Sequence, residues 1–217
     1  MLKVFFLIFD PGPTWEKVAQ KKRGLAYILP TCIVPLILLI TVAEGWSIHK
    51  FGKWRPKFDR FMQFDLHEIA AFELTQAVAL LAMVFLAALL LYIAGNTFHG
   101  QRTYRQVFAV VAYGFSPLLL VRLLDAAPLM NQWTTWVFGV GLMIWILYQG
   151  VPRVIQPDPT HTFGIYLTAI IIMVLTSGVA RVFATMYLQG EVGNRHSRLI
   201  EWLAQTPFIG WLTKFFL

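Results

Sequence analysis

Four charged residues stand where the sequence is otherwise apolar: Glu73, Arg122, Asp125 and Arg181. Carboxylates and guanidiniums in hydrocarbon do one of two things. They pair with one another, as a structural cluster or as the lining of a water path, or their long stems carry the charge out to the headgroups. Arg181 is the most telling, because Phe163–Ala180 precedes it as continuous apolar chain. The residues alone leave pairing and snorkelling both open. Other chemistries find no footing. The five histidines are scattered singly, with no acidic cluster beside them, so no metal centre is expected. Ser116 has no His or Asp within a turn to act as its base, and no Walker or dinucleotide glycine pattern is present. No catalytic, cofactor-binding or metal-ligating residue is assigned, and no cofactor is expected.

The elements that must position these charges are membrane spans. The apolar fraction is 58% against 13% charged, and mean hydropathy is +0.63, outside the range of soluble domains. Apolar runs at Gly24–Ala43, Ile69–Gly95, Tyr104–Leu124, Trp133–Val151 and Gly164–Leu188 each come close to or exceed the ~20 residues a helix needs to cross about 30 Å of hydrocarbon. The fold class is therefore an all-α integral membrane protein with five transmembrane helices. Alternation along five spans puts the start of span two and the ends of spans three and five on one side. Glu73, Arg122, Asp125 and Arg181 thus gather near one face whatever the orientation. Asn96, His99, Gln101, Arg102, Arg105 and Arg153 lie on the opposite side, as a partner-docking surface or as ordinary lipid contacts.

Three flanking segments read as interfacial. At the N-terminus, Asp10-Pro11-Gly12-Pro13 breaks the chain, Pro13 suits a first helical position, and Thr14–Arg23 has Trp15 and Val18 on an apolar side with Lys17, Lys21, Lys22 and Arg23 around it. Such a helix lies along a membrane surface. Between spans one and two, Trp46–Asp65 mixes Lys50, Lys53, Arg55, Lys57 and Arg60 with aromatics and has a helix start at Pro56. The tail Arg195–Leu217 is amphipathic around Trp202 and Trp211. The organisation is 1–23 interfacial, 24–188 membrane domain and 189–217 amphipathic tail. The net charge of +7 flanks apolar runs instead of forming one patch, which suits anionic headgroups and not nucleic acid. Lone Cys32 excludes a disulfide framework within the chain.

The stretch Gln101–Asp125 organises the rest. Tyr113-Gly114-Phe115-Ser116-Pro117 sits in its middle, and Pro117 removes a backbone hydrogen bond there, predicting a kink. The freed carbonyl needs another donor, and a broken, polar, small-residue segment belongs inside a bundle. Pro30 and Pro35 bend span one. In span four, Gly139 and Gly141 allow close helix approach, and Trp133 and Trp136 read as interface anchors.

Three motifs resemble those of the Yip (Ypt-interacting protein) domain family. Phe9-Asp10-Pro11-Gly12-Pro13-Thr14-Trp15 is similar to the N-terminal motif of its bacterial branch. Val111-Ala112-Tyr113-Gly114-Phe115-Ser116-Pro117 resembles the third-span signature, with Phe115 where Tyr is common. Tyr148-Gln149-Gly150 followed by Pro152 resembles the fourth-span exit. The resemblance covers Phe9 to Leu188. It implies a cytoplasmic N-terminus and no catalytic activity. Eukaryotic members bind prenylated Rab-type GTPases; this chain lacks their long polar N-terminal region, which argues for a bacterial inner-membrane member and against a Rab-type partner.

Two functional classes follow. One is a non-catalytic scaffold or accessory subunit that packs against a larger membrane complex, with lipids and other integral membrane proteins as partners. The other is a small transporter or channel component for ions or lipids, supported by the charged cluster and the broken helices. The absence of an inverted repeat and of acidic residues deep in the spans favours the first.

Overall fold

The computed structural model describes residues 2–21, 23–55, 60–97, 103–127, 130–155 and 160–188. Among the described residues, five helical segments are long and apolar enough to cross a membrane: Leu25–Phe51, Leu66–Gly95, Tyr104–Ala126, Gln132–Ile155 and Thr162–Tyr187. The first comprises α3 (Leu25–Ile28), a five-residue π-helical turn (Leu29–Ile33) and α4 (Val34–Phe51). Pro30 lies within the wide turn and Pro35 just after it, where missing N–H groups already disturb the ladder. The remaining spans are α5 (Leu66–Thr97), α6 (Tyr104–Arg122, prolonged by a 3₁₀ turn Leu123–Ala126), α7 (Gln132–Ile155) and α8 (Thr162–Leu188).

Helix α6 is the centre of the bundle. Of its most apolar window 83% is buried, against 28–44% for the other spans. That explains why it is the span with Tyr, Gly, Ser and Pro at mid-depth. Packing with α7 is reciprocal. A Cβ at Gly114 of α6 would stand 2.8 Å from Leu147 Cδ2, and a Cβ at Gly139 of α7 would stand 3.2 Å from the Leu118 Cα. Each helix thus contributes one glycine where the other comes closest, the small-residue device of membrane helix pairs. Helix α6 runs through Pro117 without interruption. Pro117 cannot donate to the Tyr113 carbonyl, and the Ser116 hydroxyl does so instead at 2.6 Å. The donor that the freed carbonyl needs is thus the adjacent side chain.

Two expectations are corrected at the N-terminal and first-loop segments. Helix α1 (Leu2–Phe9) ends at the breaker, and α2 (Pro11–Lys21) opens at Pro11, two residues before the expected start. Both prolines fall in the first turn, where the missing N–H groups have no intrahelical partner anyway. The apolar side of α2 is not spent on lipid. Trp15 is fully buried and Val18 nearly so, packed into the bundle against α7. Amphipathicity records that one face is apolar, not which apolar surface covers it. Span one, in turn, continues past Ala43 to Phe51. Gly52, at φ 72°, then turns the chain into a short antiparallel hairpin, β1 (Lys53–Arg55) with β2 (Arg60–Met62), pairing Trp54 with Phe61. Pro56 and the tail 189–217, including Arg195–Leu217, lie outside the described residues.

Trp136 is likewise not a free interface anchor. Its indole donates to the Ser177 hydroxyl of α8 at 3.3 Å, while Trp133 remains half exposed.

Candidate functional site

Two constellations sit at opposite ends of the bundle. At the end carrying the N-terminal helices, the three sequence motifs meet. The Trp15 indole N–H donates to the Ile146 carbonyl at 3.1 Å, and its ring stands edge-on to Tyr113 with centroids 6.3 Å apart. The same ring lies flat against Gly150, where a Cβ would come within 2.4–2.9 Å of three ring atoms. Gly12 is also close, a Cβ there meeting Gln149 Oε1 at 3.3 Å. Trp15, Tyr113 and Gly150 therefore form one junction between α2, α6 and α7. Around it, Arg153 donates to the Gln149 carbonyl at 2.9 Å and approaches Glu16 at 3.8 Å, an exposed pair of small energetic weight. Of the polar residues expected on this side, His99, Gln101 and Arg102 lie outside the described residues.

At the other end lies a buried ionic layer. Arg181 of α8 is 3% exposed and Asp125 6%. Arg181 Nη1 donates to Asp125 Oδ2 at 2.5 Å, and its Nη2 donates to Thr135 Oγ1 at 2.9 Å. Nε reaches the Gln132 carbonyl at 3.1 Å, and Nη2 also donates to that carbonyl. Thr135 donates to the other Asp125 oxygen. The carboxylate and the guanidinium are thus bonded from both sides, which is what a buried ion pair requires to offset desolvation. Arg122 Nε lies 3.9 Å from Asp125 Oδ2. The Arg181 charge turns inward to a partner instead of out to the headgroups.

Glu73 faces span one. A Cβ at Gly45 would stand 3.4 Å from its Cγ, so this glycine gives the Glu73 stem its room. One turn along α5, Gln76 Nε2 donates to Glu44 Oε2 at 2.7 Å, both buried. Ser47 donates to the Ala126 carbonyl, tying span one to the end of span three. Glu44, Gln76, Gln132, Thr135 and Ser177 are members of this layer that the sequence reading missed. Glu44 is one residue beyond the assigned end of span one, and the polar side chain of Gln76 in an apolar run was the available signal. Among Arg122, Thr135, Trp136, Ser177 and Arg181 there remains a cavity of about 10 Å³, room for one water. No group of three or more potential metal ligands occurs among the described residues.

A five-span helical bundle with a central glycine- and proline-bearing helix, a docked N-terminal tryptophan and an internally bonded charged layer defines the class as an integral membrane protein. The Yip1 domain family matches residues 5–181, and the chain belongs to that family. Comparison with curated proteins and with solved structures gives no match.

Proposed function

We propose that this chain is a non-catalytic scaffold or accessory subunit of a larger membrane protein complex. In this reading it sits in a bacterial inner membrane with its N-terminus in the cytoplasm. One observation carries the proposal. Trp145 lies near the middle of span four, is 56% exposed on the lipid-facing side, and its indole makes no hydrogen bond among the described residues. Tryptophan belongs at membrane interfaces, and an unbonded N–H in hydrocarbon is costly. One turn away Gly141 is open, with nothing within 4 Å of where a Cβ would stand, and Val137 beyond it is exposed. An open glycine beside an unsatisfied donor fits a transmembrane helix of another protein that approaches closely and offers an acceptor.

The internal bonding of the charged layer supports the same reading, because Arg181 and Asp125 are occupied with each other and with α7. The alternative, a small transporter or channel component, draws on the burial of Glu44, Glu73, Arg122, Asp125 and Arg181 toward the same end of the bundle. Native electrophoresis of membranes solubilised in mild detergent separates the two. The scaffold reading expects the wild-type chain in a species larger than itself, and release from it by Gly141→Leu or Trp145→Phe. A Cβ at Gly141 meets nothing within 4 Å, so Gly141→Leu should leave the melting temperature unchanged. Wild-type migration as a free monomer, together with ion or lipid flux in reconstituted vesicles, favours the transporter.

A further inference from the structure

Arg122, at the end of α6, is only 6% exposed, yet its bonding is incomplete. Its Nε is enclosed and has no hydrogen-bond partner among the described residues. Asp125 Oδ2 stands 3.9 Å from it, beyond hydrogen-bond reach, and that oxygen already accepts from Arg181. A charged donor buried without an acceptor is costly, so the geometry calls for one. Arg122 is also a wall of the cavity of about 10 Å³. Thr135 and Trp136 of α7 and Ser177 and Arg181 of α8 form the other polar walls, so three spans meet around it.

The groups that face this space decide what fits. Thr135 Oγ1 accepts from Arg181 Nη2 at 2.9 Å, and its one proton is committed to Asp125 Oδ1 or to the Gln132 carbonyl. Ser177 Oγ accepts from the Trp136 indole at 3.3 Å and donates to the Val174 carbonyl at 3.0 Å. A hydroxyl oxygen has two lone pairs, so each keeps one acceptor position and no spare hydrogen. The walls thus combine an unbonded donor with two acceptors. A halide satisfies the donor but meets the lone pairs of both hydroxyls. Charge balance also stands against an anion. Three carboxylates, Glu44, Glu73 and Asp125, accompany two guanidiniums in the buried layer, so with the carboxylates ionised no positive surplus remains. Water accepts and donates at once, and a space of roughly 10–15 Å³ is what one molecule needs.

We propose that the cavity holds one ordered water, which accepts from Arg122 Nε and donates to Thr135 Oγ1 and Ser177 Oγ, joining α6, α7 and α8 through a shared polar centre. Trp136 supplies the readout, because its indole N–H is bonded to Ser177 at the cavity wall. On the full chain in detergent micelles, with isotope-labelled tryptophan and the Trp136 signal assigned by Trp136→Phe, magnetisation transfer between that N–H and bound water is expected. The Ser177 hydroxyl imitates such a signal when its proton exchanges with solvent. Arg122→Met keeps the hydroxyl and removes the donor, so the signal should be lost there while the indole shift, which reports the bond to Ser177, stays. A crystal structure of the wild-type chain grown in bromide gives a second reading that needs no variant. It should show one peak without anomalous scattering within hydrogen-bond distance of Arg122 Nε. Persistence of the transfer in Arg122→Met, no transfer in the wild type, no peak beside Nε, or an anomalous bromide peak there each overturns the proposal.

Discussion

Arg181 and Asp125, 56 residues apart in the chain, meet at 2.5 Å with side chains 4% and 0% exposed. Each reaches the contact from the end of a different span, and Thr135 bonds both.

Removing one member of that pair leaves a buried charge unmatched. Arg181→Leu and Asp125→Leu should each lower stability by about 3–5 kcal/mol. The double variant should lose clearly less than their sum, and thermal unfolding in detergent measures the cycle. Strict additivity would mean that the two charges do not interact.

The Trp15–Gly150 contact predicts a second cycle. Gly150→Ala forces a methyl into the indole ring and should cost about 1–3 kcal/mol. Trp15→Ala empties the junction at about 3–5 kcal/mol and should expose α2 to protease. In the Trp15→Ala background Gly150→Ala should be nearly silent. An undiminished cost there would show that the glycine answers to something other than the ring.

Ser116 and Pro117 share one carbonyl. Ser116→Ala strips the Tyr113 carbonyl of its donor and should cost about 1–3 kcal/mol. Pro117→Ala restores a backbone N–H at the same place, so Ser116→Ala should cost much less in that background. The comparison of melting temperatures with and without proline decides it.

Topology is read by labelling single cysteines in a Cys32→Ala background. Lys17 and Thr160 are exposed at one end of the bundle and Lys50 at the other. Lys17→Cys and Thr160→Cys should react from the cytoplasmic side and Lys50→Cys from the opposite side. Reaction of all three from one side contradicts five spans.

The five spans are legible in the sequence because lipid imposes a length and an apolar composition that few soluble segments share. The convergence of Arg122, Asp125 and Arg181 is legible for a related reason, since alternation of spans fixes which ends share a side. Partner choice is not. Glu73 and Asp125 both qualify for Arg181 by side alone, and only the rotation of α5 turns Glu73 toward Gly45. The hairpin is hidden because its aromatic and basic residues fit an interfacial helix as well as two strands, and Gly52 at positive φ is what commits the chain. The docking of α2 is hidden because the glycine that receives Trp15 lies far along the chain.

That separation has a consequence for how the molecule is made. Trp15 donates to a carbonyl 131 residues downstream. At about 5–20 residues per second the ribosome needs on the order of ten seconds to reach that carbonyl after finishing the tryptophan. During this interval α2 has no seat, and its basic, amphipathic character gives it a temporary one on the membrane surface. Closure of the Trp15 junction therefore marks the moment when span four has arrived, and a helix made before any of the five spans is locked only after the fourth.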